Sequence, residues 1–249
     1  MDKIIILVIL MVFFALIYIN FKNKQFTELF SNRDNKLVLI DSGRAAVVLY
    51  SVNTFGKYNL YDKQLRNIEV DENIAAHYIN KLDNWTKYEV KIINWLITNL
   101  LSKMPVEYEF LFNNTSIAKY KDGVEMNFPH TNKNTIFLTS NFIDGITPYF
   151  NNNDVDECII DIGSIIIHEA VHIWQRKDPE FFKKLYSEWN FVKYKTILNS
   201  KKFKNTNRYN PDGVDLNWCF RDTNSNSEFM LLSPYKEDAT NISQVNLIG

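Results

Sequence analysis

Two histidines four positions apart with a glutamate after the first, His168-Glu169-Ala170-Val171-His172, are the residues of this chain whose types and spacing fit hydrolytic zinc chemistry. At 3.6 residues per turn the two rings share one helix face and can reach one metal ion. Glu169 falls about 100° round the helix from His168 and about 60° from His172. It can face a water beside the metal without binding the metal, which makes it the candidate general base. With four histidines and thirteen glutamates in 249 residues, shuffling would produce the pattern roughly a few times in a thousand. The competing reading is one buried helix with two satisfied histidines and a capping or paired glutamate.

The positioning element is expected to be a helix over 155–174, with Asn153 or Asp154 as N-cap and Asp154, Asp156 and Glu157 near its first turn, where negative charge suits the helix dipole. Around the motif, Ile165, Ile166, Ile167, Ala170, Val171, Ile173 and Trp174 leave almost no polar surface except His168, Glu169 and His172. Such a helix must be buried. Burying three unpartnered polar side chains costs on the order of 1–3 kcal/mol each, and a shared ion would remove that penalty. The helix should stop near Arg176, because Asp178-Pro179 is an N-cap and N1 pair for a new one.

Composition frames the rest. The chain is 46% hydrophobic and 14% aromatic, which supports a real core, and its net charge of -1 with no long basic run argues against nucleic acid as a partner. Residues 4–21 are apolar apart from Asn20 and would span roughly 27 Å as a helix, close to the hydrocarbon thickness of a bilayer. An uncleaved membrane anchor fits better than a cleaved secretory signal, because Ala15 is followed by Leu16, Ile17 and Tyr18 rather than small residues. Lys22, Lys24 and Arg33 after it lean weakly toward a cytoplasmic domain. Cys158 and Cys219 could form one bridge or remain free thiols, and sequons at Asn84, Asn113, Asn114 and Asn241 are about as many as this asparagine content yields by chance.

Residues 22–36 form a polar tether, and 37–249 one domain, divided into helices and sheet over 37–150 and the motif helix with a C-terminal subdomain over 151–249. Residues 37–53 read as two strands or as a strand and a helix, and 71–83 and 86–103 as amphipathic helices, the second stopped by Pro105. Strands are expected at 106–112, 117–120, 124–128 and 135–140, with a turn at Lys121-Asp122-Gly123. A second amphipathic helix is expected over 179–198, a hairpin from 216–221 and 228–232, and a final helix opened by Ser233-Pro234.

In this order, helices, then a small sheet, then the HExxH helix, the chain resembles zincin metallopeptidases. The resemblance implies an α+β fold with a small mixed sheet and a helical C-terminal part, bound Zn²⁺ and hydrolysis of peptide bonds. It also implies that the strand shortly before the motif helix is an exposed sheet edge beside the cleft. Thr135-Ile136-Phe137-Leu138-Thr139 is the candidate, able to receive an extended peptide by strand addition; an interior strand is the alternative.

A catalytic zinc commonly has three protein ligands. No histidine follows His172, and Asp178 stands where a metzincin would have its third one, so the similarity is to the gluzincin branch, whose third ligand is a later glutamate. Glu237, followed by Asp238 and Ala239 in the expected last helix, is the first candidate, with Glu188 and Glu228 behind it and Glu180 reading as a dipole or capping residue. Asp238 or Asp161 could orient a ligand histidine. Tyr209 is the candidate hydrogen-bond donor to a tetrahedral oxyanion, with Tyr235 and then His130 as alternatives. The expected function is a membrane-anchored zinc metallopeptidase acting on a peptide or protein; an inactive zincin-like scaffold is the alternative.

Overall fold

The computed structural model describes residues 37–51, 58–193, 206–209, 212, 218–222, 224–225, 227–230 and 232–246. The anchor expected at 4–21 and the tether at 22–36 lie outside the described residues, and among those described no helix is long and apolar enough to cross a membrane.

The architecture is mixed α+β. A strand β1 (Val38–Leu39) and a helix α1 (Ser42–Tyr50) open the domain, followed by α2 (Leu60–Leu65), α3 (Ile74–Ile79), β2 (Leu82–Asp83) and α4 (Lys87–Lys103). Asn59 caps α2, and Thr86 caps α4, each in a reciprocal capping box with an acid three residues on, while Pro105 follows α4 as expected. Next come β3 (Ser116–Tyr120), β4 (His130–Asn132), β5 (Thr135–Thr139) and α5 (Ser140–Asn152). The motif rod comes after these as α6 (Val155–Cys158), a π turn (Ile159–Gly163) and α7 (Ser164–Lys177). The domain continues with α8 (Pro179–Glu188), β6 (Phe191–Lys193), β7 (Trp218–Arg221) and β8 (Glu228–Phe229).

The main sheet runs β1-β3-β5-β4, with β1, β3 and β5 parallel, β4 antiparallel to β5, and β2 antiparallel to the far half of β3. The period-2 alternation of β3 and β5 feeds two cores. Ile117, Ile136 and Leu138 face the larger one with α4, α5 and α7, whereas Ala118, Tyr120 and Phe137 face a second one with Ala45, Leu49 and Tyr78. Both faces are therefore covered, as parallel strands require. Lys119 is the charged exception, its ammonium buried between Asp83 at 3.0 Å and Glu89 at 2.8 Å.

Several expectations are corrected. Residues 135–139 are not the sheet edge: β5 lies between β3 and β4, and β4 is the edge. Val106–Phe112 is a 3-10 helix, not a strand, and buries Leu111 and Phe112 at its end. Val124–Asn127 is a tight turn rather than a strand, with Glu125, Met126 and Asn127 all at positive φ. The second amphipathic helix ends at Glu188, where Trp189 and Asn190 turn the chain (Asn190 φ 62°) into β6. No helix starts at Ser233-Pro234, because Pro234 pairs with Asn207 and Tyr235 with Val245 in isolated bridges. Both cysteines are free and buried.

The left-handed turn is held by a buried ion cluster. Arg66 donates through Nε to Glu125 at 2.7 Å and through Nη1 to Asp62 and to the Tyr235 hydroxyl, both at 3.2 Å, and its guanidinium lies over the Tyr58 ring. Tyr78 donates a short hydrogen bond to the same Glu125 oxygen, and Gly123 N–H closes the turn on Asn127 Oδ1 at 2.7 Å. Burial raises the Glu125 carboxyl, but Arg66, His130 and Tyr78 outweigh it and hold the pKa below the usual value of 4.5. A carboxylate with a depressed folded pKa contributes stability that is full above its unfolded pKa and is lost as pH falls through the folded one. Glu125→Gln should therefore destabilise the protein at pH 7, and the gap to wild type should narrow steadily below pH 4.5. Arg66→Met, which strands two buried acids, should cost about 3–5 kcal/mol at neutral pH by urea unfolding.

Candidate metal centre

The rod that carries the motif is driven into the core by its apolar residues. Ile166, Ala170, Val171 and Ile173 are buried in the larger core, and α7 packs against the 3-10 helix, β4 and β5. Trp174 fixes its far end, its ring 5.0 Å from Phe110 and 4.7 Å from Phe182. At its near end, Gly163 closes the π turn against α4, where a Cβ would stand 3.2 Å from Leu100 Cδ1. The extra residue of a π turn rotates the helix beyond it about its own axis, a device found most often beside functional sites. Asp178 caps α8 by accepting from Phe181 N–H at 3.1 Å, and α7 ends at Lys177, one residue beyond the expected Arg176.

With its apolar stripes buried, the helix leaves the motif residues on one side. His168 and His172 stand with Nε2 atoms 3.0 Å apart and rings nearly perpendicular, at 86°. Two imidazole nitrogens about 2.0–2.1 Å from one tetrahedral zinc would lie roughly 3.3 Å apart, so the pair is set close to the separation a shared ion needs. Desolvation by the surrounding chain lowers the pKa of His168 even though its outer edge meets solvent. The same cause, reinforced by His168 and Arg176 against a hydrogen bond from His172 to Gln175, lowers His172 to about 4. Both rings are therefore neutral at pH 7, the form that binds a metal.

Glu169 is 4% exposed, and its Oε2 has no hydrogen-bond partner among the described residues. Burial and then the charge of Asp212 raise its pKa well above the usual carboxylate range, while Arg176 opposes them. An orphaned, desolvated carboxylate beside two neutral imidazoles is what a water-activating base requires.

Through Arg176, the C-terminal end of α7 reaches the outer edge of β4. Arg176 donates to Lys133 O at 2.8 Å, to Thr131 Oγ1 at 2.7 Å and to Asp212 O at 3.1 Å. Asp212 Oδ1 accepts a short hydrogen bond from Thr131 N–H, so this outward amide of the edge strand is already satisfied. Burial raises Asp212, against the fields of His130 and Arg176.

The expected third ligand is not assembled here: among the described residues no third histidine, cysteine or acid joins His168 and His172 in a metal-holding group. Glu237 lies on an exposed turn instead of a helix, and Glu188 is exposed at the last turn of α8. Glu228 is paired with Arg221 at 2.6 Å and Glu180 with Lys183 at 3.3 Å. Asp161 accepts from Tyr149 at 2.7 Å and Asp238 is exposed, so neither orients a histidine. Tyr209 joins the Arg66 cluster, its N–H on Asp62 and its ring against Tyr58, and Tyr235 donates to Asp62 at 2.7 Å. His130 is buried against the Tyr120 and Phe137 rings, at 5.3 and 5.5 Å.

The orienting residue is Gln175, whose Oε1 lies 2.8 Å from His172 Nδ1 and whose Nε2 donates to the Tyr186 hydroxyl at 2.9 Å. Its place three residues after His172, on the same helix face, is the sequence signal of this contact. No protein-family model, curated protein or solved structure matches this chain.

Replacing Asp212 by Ala leaves Thr131 N–H buried without its acceptor, at a cost of about 1–3 kcal/mol. In hydrogen exchange the Thr131 amide should become fast in that variant while His130 and Asn132, whose amides face β5, stay slow. Unchanged protection at Thr131 would contradict the capping role.

Proposed function

We propose that this protein is a zinc metallopeptidase of zincin-like type, anchored to a membrane by residues 4–21, with a peptide or protein as its substrate. The observation that supports the reading most is the pair of Nε2 atoms 3.0 Å apart beside an orphaned, buried Glu169. Two neutral histidines and one buried carboxylate on a single helix match the needs of metal-assisted hydrolysis.

In this reading His168 and His172 hold the zinc, with Glu237 as third ligand and Glu188 as its alternative; these are the two of the four later glutamates with no ion pair among the described residues. Bound zinc supplies Lewis acidity and a lowered water pKa, toward about 7. Glu169 takes the proton of the attacking water and returns it to the departing amine. The low dielectric around α7 strengthens each of these interactions.

Full-length protein should retain about one equivalent of zinc and cleave a mixed peptide library, with loss of metal in His172→Ala. Glu169→Gln should keep the metal and lose on the order of 10²–10⁴ in rate. Retention of zinc without cleavage by the wild type would favour the scaffold alternative, and absence of stoichiometric metal would remove both. Loss of zinc in Glu188→Ala but not in Glu237→Ala would move the third ligand.

A further inference from the structure

The contacts of His172 reach beyond the motif. Its Nδ1 meets Gln175 Oε1 at 2.8 Å, the amide nitrogen of Gln175 donates to Tyr186 at 2.9 Å, and the Tyr186 ring packs against Trp218 at 5.1 Å and Phe191 at 6.3 Å. Gln175 is 8% exposed, so neither end of its amide has water as an easy substitute. Tyr186 is an uncharged hydroxyl throughout the neutral range, its pKa pushed up to about 12 by burial against the opposing hydrogen bond from Gln175.

An amide has one acceptor end and one donor end, whereas a histidine ring nitrogen can serve as either. A tyrosine hydroxyl can accept or donate; in the arrangement seen, where Tyr186 accepts from the Gln175 amide nitrogen, the carbonyl end faces His172 and pairs with a proton on Nδ1. Nε2 of His172 then carries the lone pair. This accounts for the 3.0 Å contact, with His168 donating from its own Nε2 to His172 Nε2 when no ion is bound.

We infer that Gln175 and Tyr186 form an uncharged positioning pair that locks His172 in the Nδ1–H tautomer, so that its Nε2 is ready for a metal before one arrives. The pair does the work usually given to a carboxylate or carbonyl behind a metal-binding histidine, without adding charge to the site. It also ties the site to the three-stranded sheet β6-β7-β8, since the Tyr186 ring rests on that sheet's aromatic face. This role rests on the zinc reading for its purpose but not for its geometry.

Two measurements on the full-length chain separate those points. In metal-free protein, imidazole nitrogen NMR should show His172 as a single Nδ1–H tautomer and His168 as Nε2–H, with His172 turning into a mixture in Gln175→Leu and Tyr186→Phe. Zinc titration should show affinity about 10–100-fold weaker in Gln175→Leu. Tyr186→Phe keeps the ring in place and should weaken zinc by a smaller factor, which preserves the test should the leucine variant fail to fold. A wild-type His172 found as Nε2–H, or unchanged tautomer and unchanged zinc affinity in Tyr186→Phe, would overturn the inference. A chain that binds no zinc yet shows the locked tautomer would overturn the zinc reading and leave the pair standing.

Discussion

Burial of the motif helix is the constraint on which the site depends. Ile166, Ala170, Val171 and Ile173 are driven into the larger core, and Trp174 is gripped by Phe110 and Phe182. A rod fixed so firmly about its axis has little freedom in where its remaining side chains point. His168, Glu169 and His172 are brought to one side, where the two rings converge and the carboxylate is stripped of water. The lowered histidines and the raised glutamate share this cause, since desolvation disfavours the charged form of each.

A second constraint operates around β4, the edge strand beside that helix. Asp212 satisfies the outward amide of Thr131, and Arg176 binds Lys133 O. The chain leading into β4 is bent by three consecutive residues in left-handed conformation, a costly geometry for residues other than glycine. The Arg66 cluster compensates by capturing Glu125. The approach to β4 is thus set by a buried ion pair on the opposite face of the sheet from the motif helix.

The motif, its helix, the β5 strand, the α4 helix and the Asp178-Pro179 boundary are all legible in the sequence, because each depends on local chemistry: spacing, alternation or a cap. Legibility ends where a distant partner overrides a local pattern. Val124–Phe128 alternates like a strand, but Arg66, far away in sequence, draws Glu125 inward. Ser233-Pro234 looks like a helix start, yet Pro234 is claimed by pairing with Asn207. Val106–Phe112 is too short for alternation to distinguish a strand from the 3-10 helix it adopts. The edge position of β4 depends on a three-residue strand, His130–Asn132, with no periodic signature of its own. Gln175 is less legible for a different reason: it is neutral, and only its place three residues after His172 signals the contact, where charge is the usual sign.

In the proposed function, His168 and His172 bind one zinc ion together. X-ray absorption at the zinc edge of the full-length protein loaded with one equivalent of the metal tests this most directly. The expected spectrum has two imidazole nitrogens at about 2.0–2.1 Å and oxygen ligands at about 2.0–2.2 Å, the imidazole signature being lost when His168 is replaced. A shell of oxygens without imidazole scattering, or sulfur at about 2.3 Å, would contradict it.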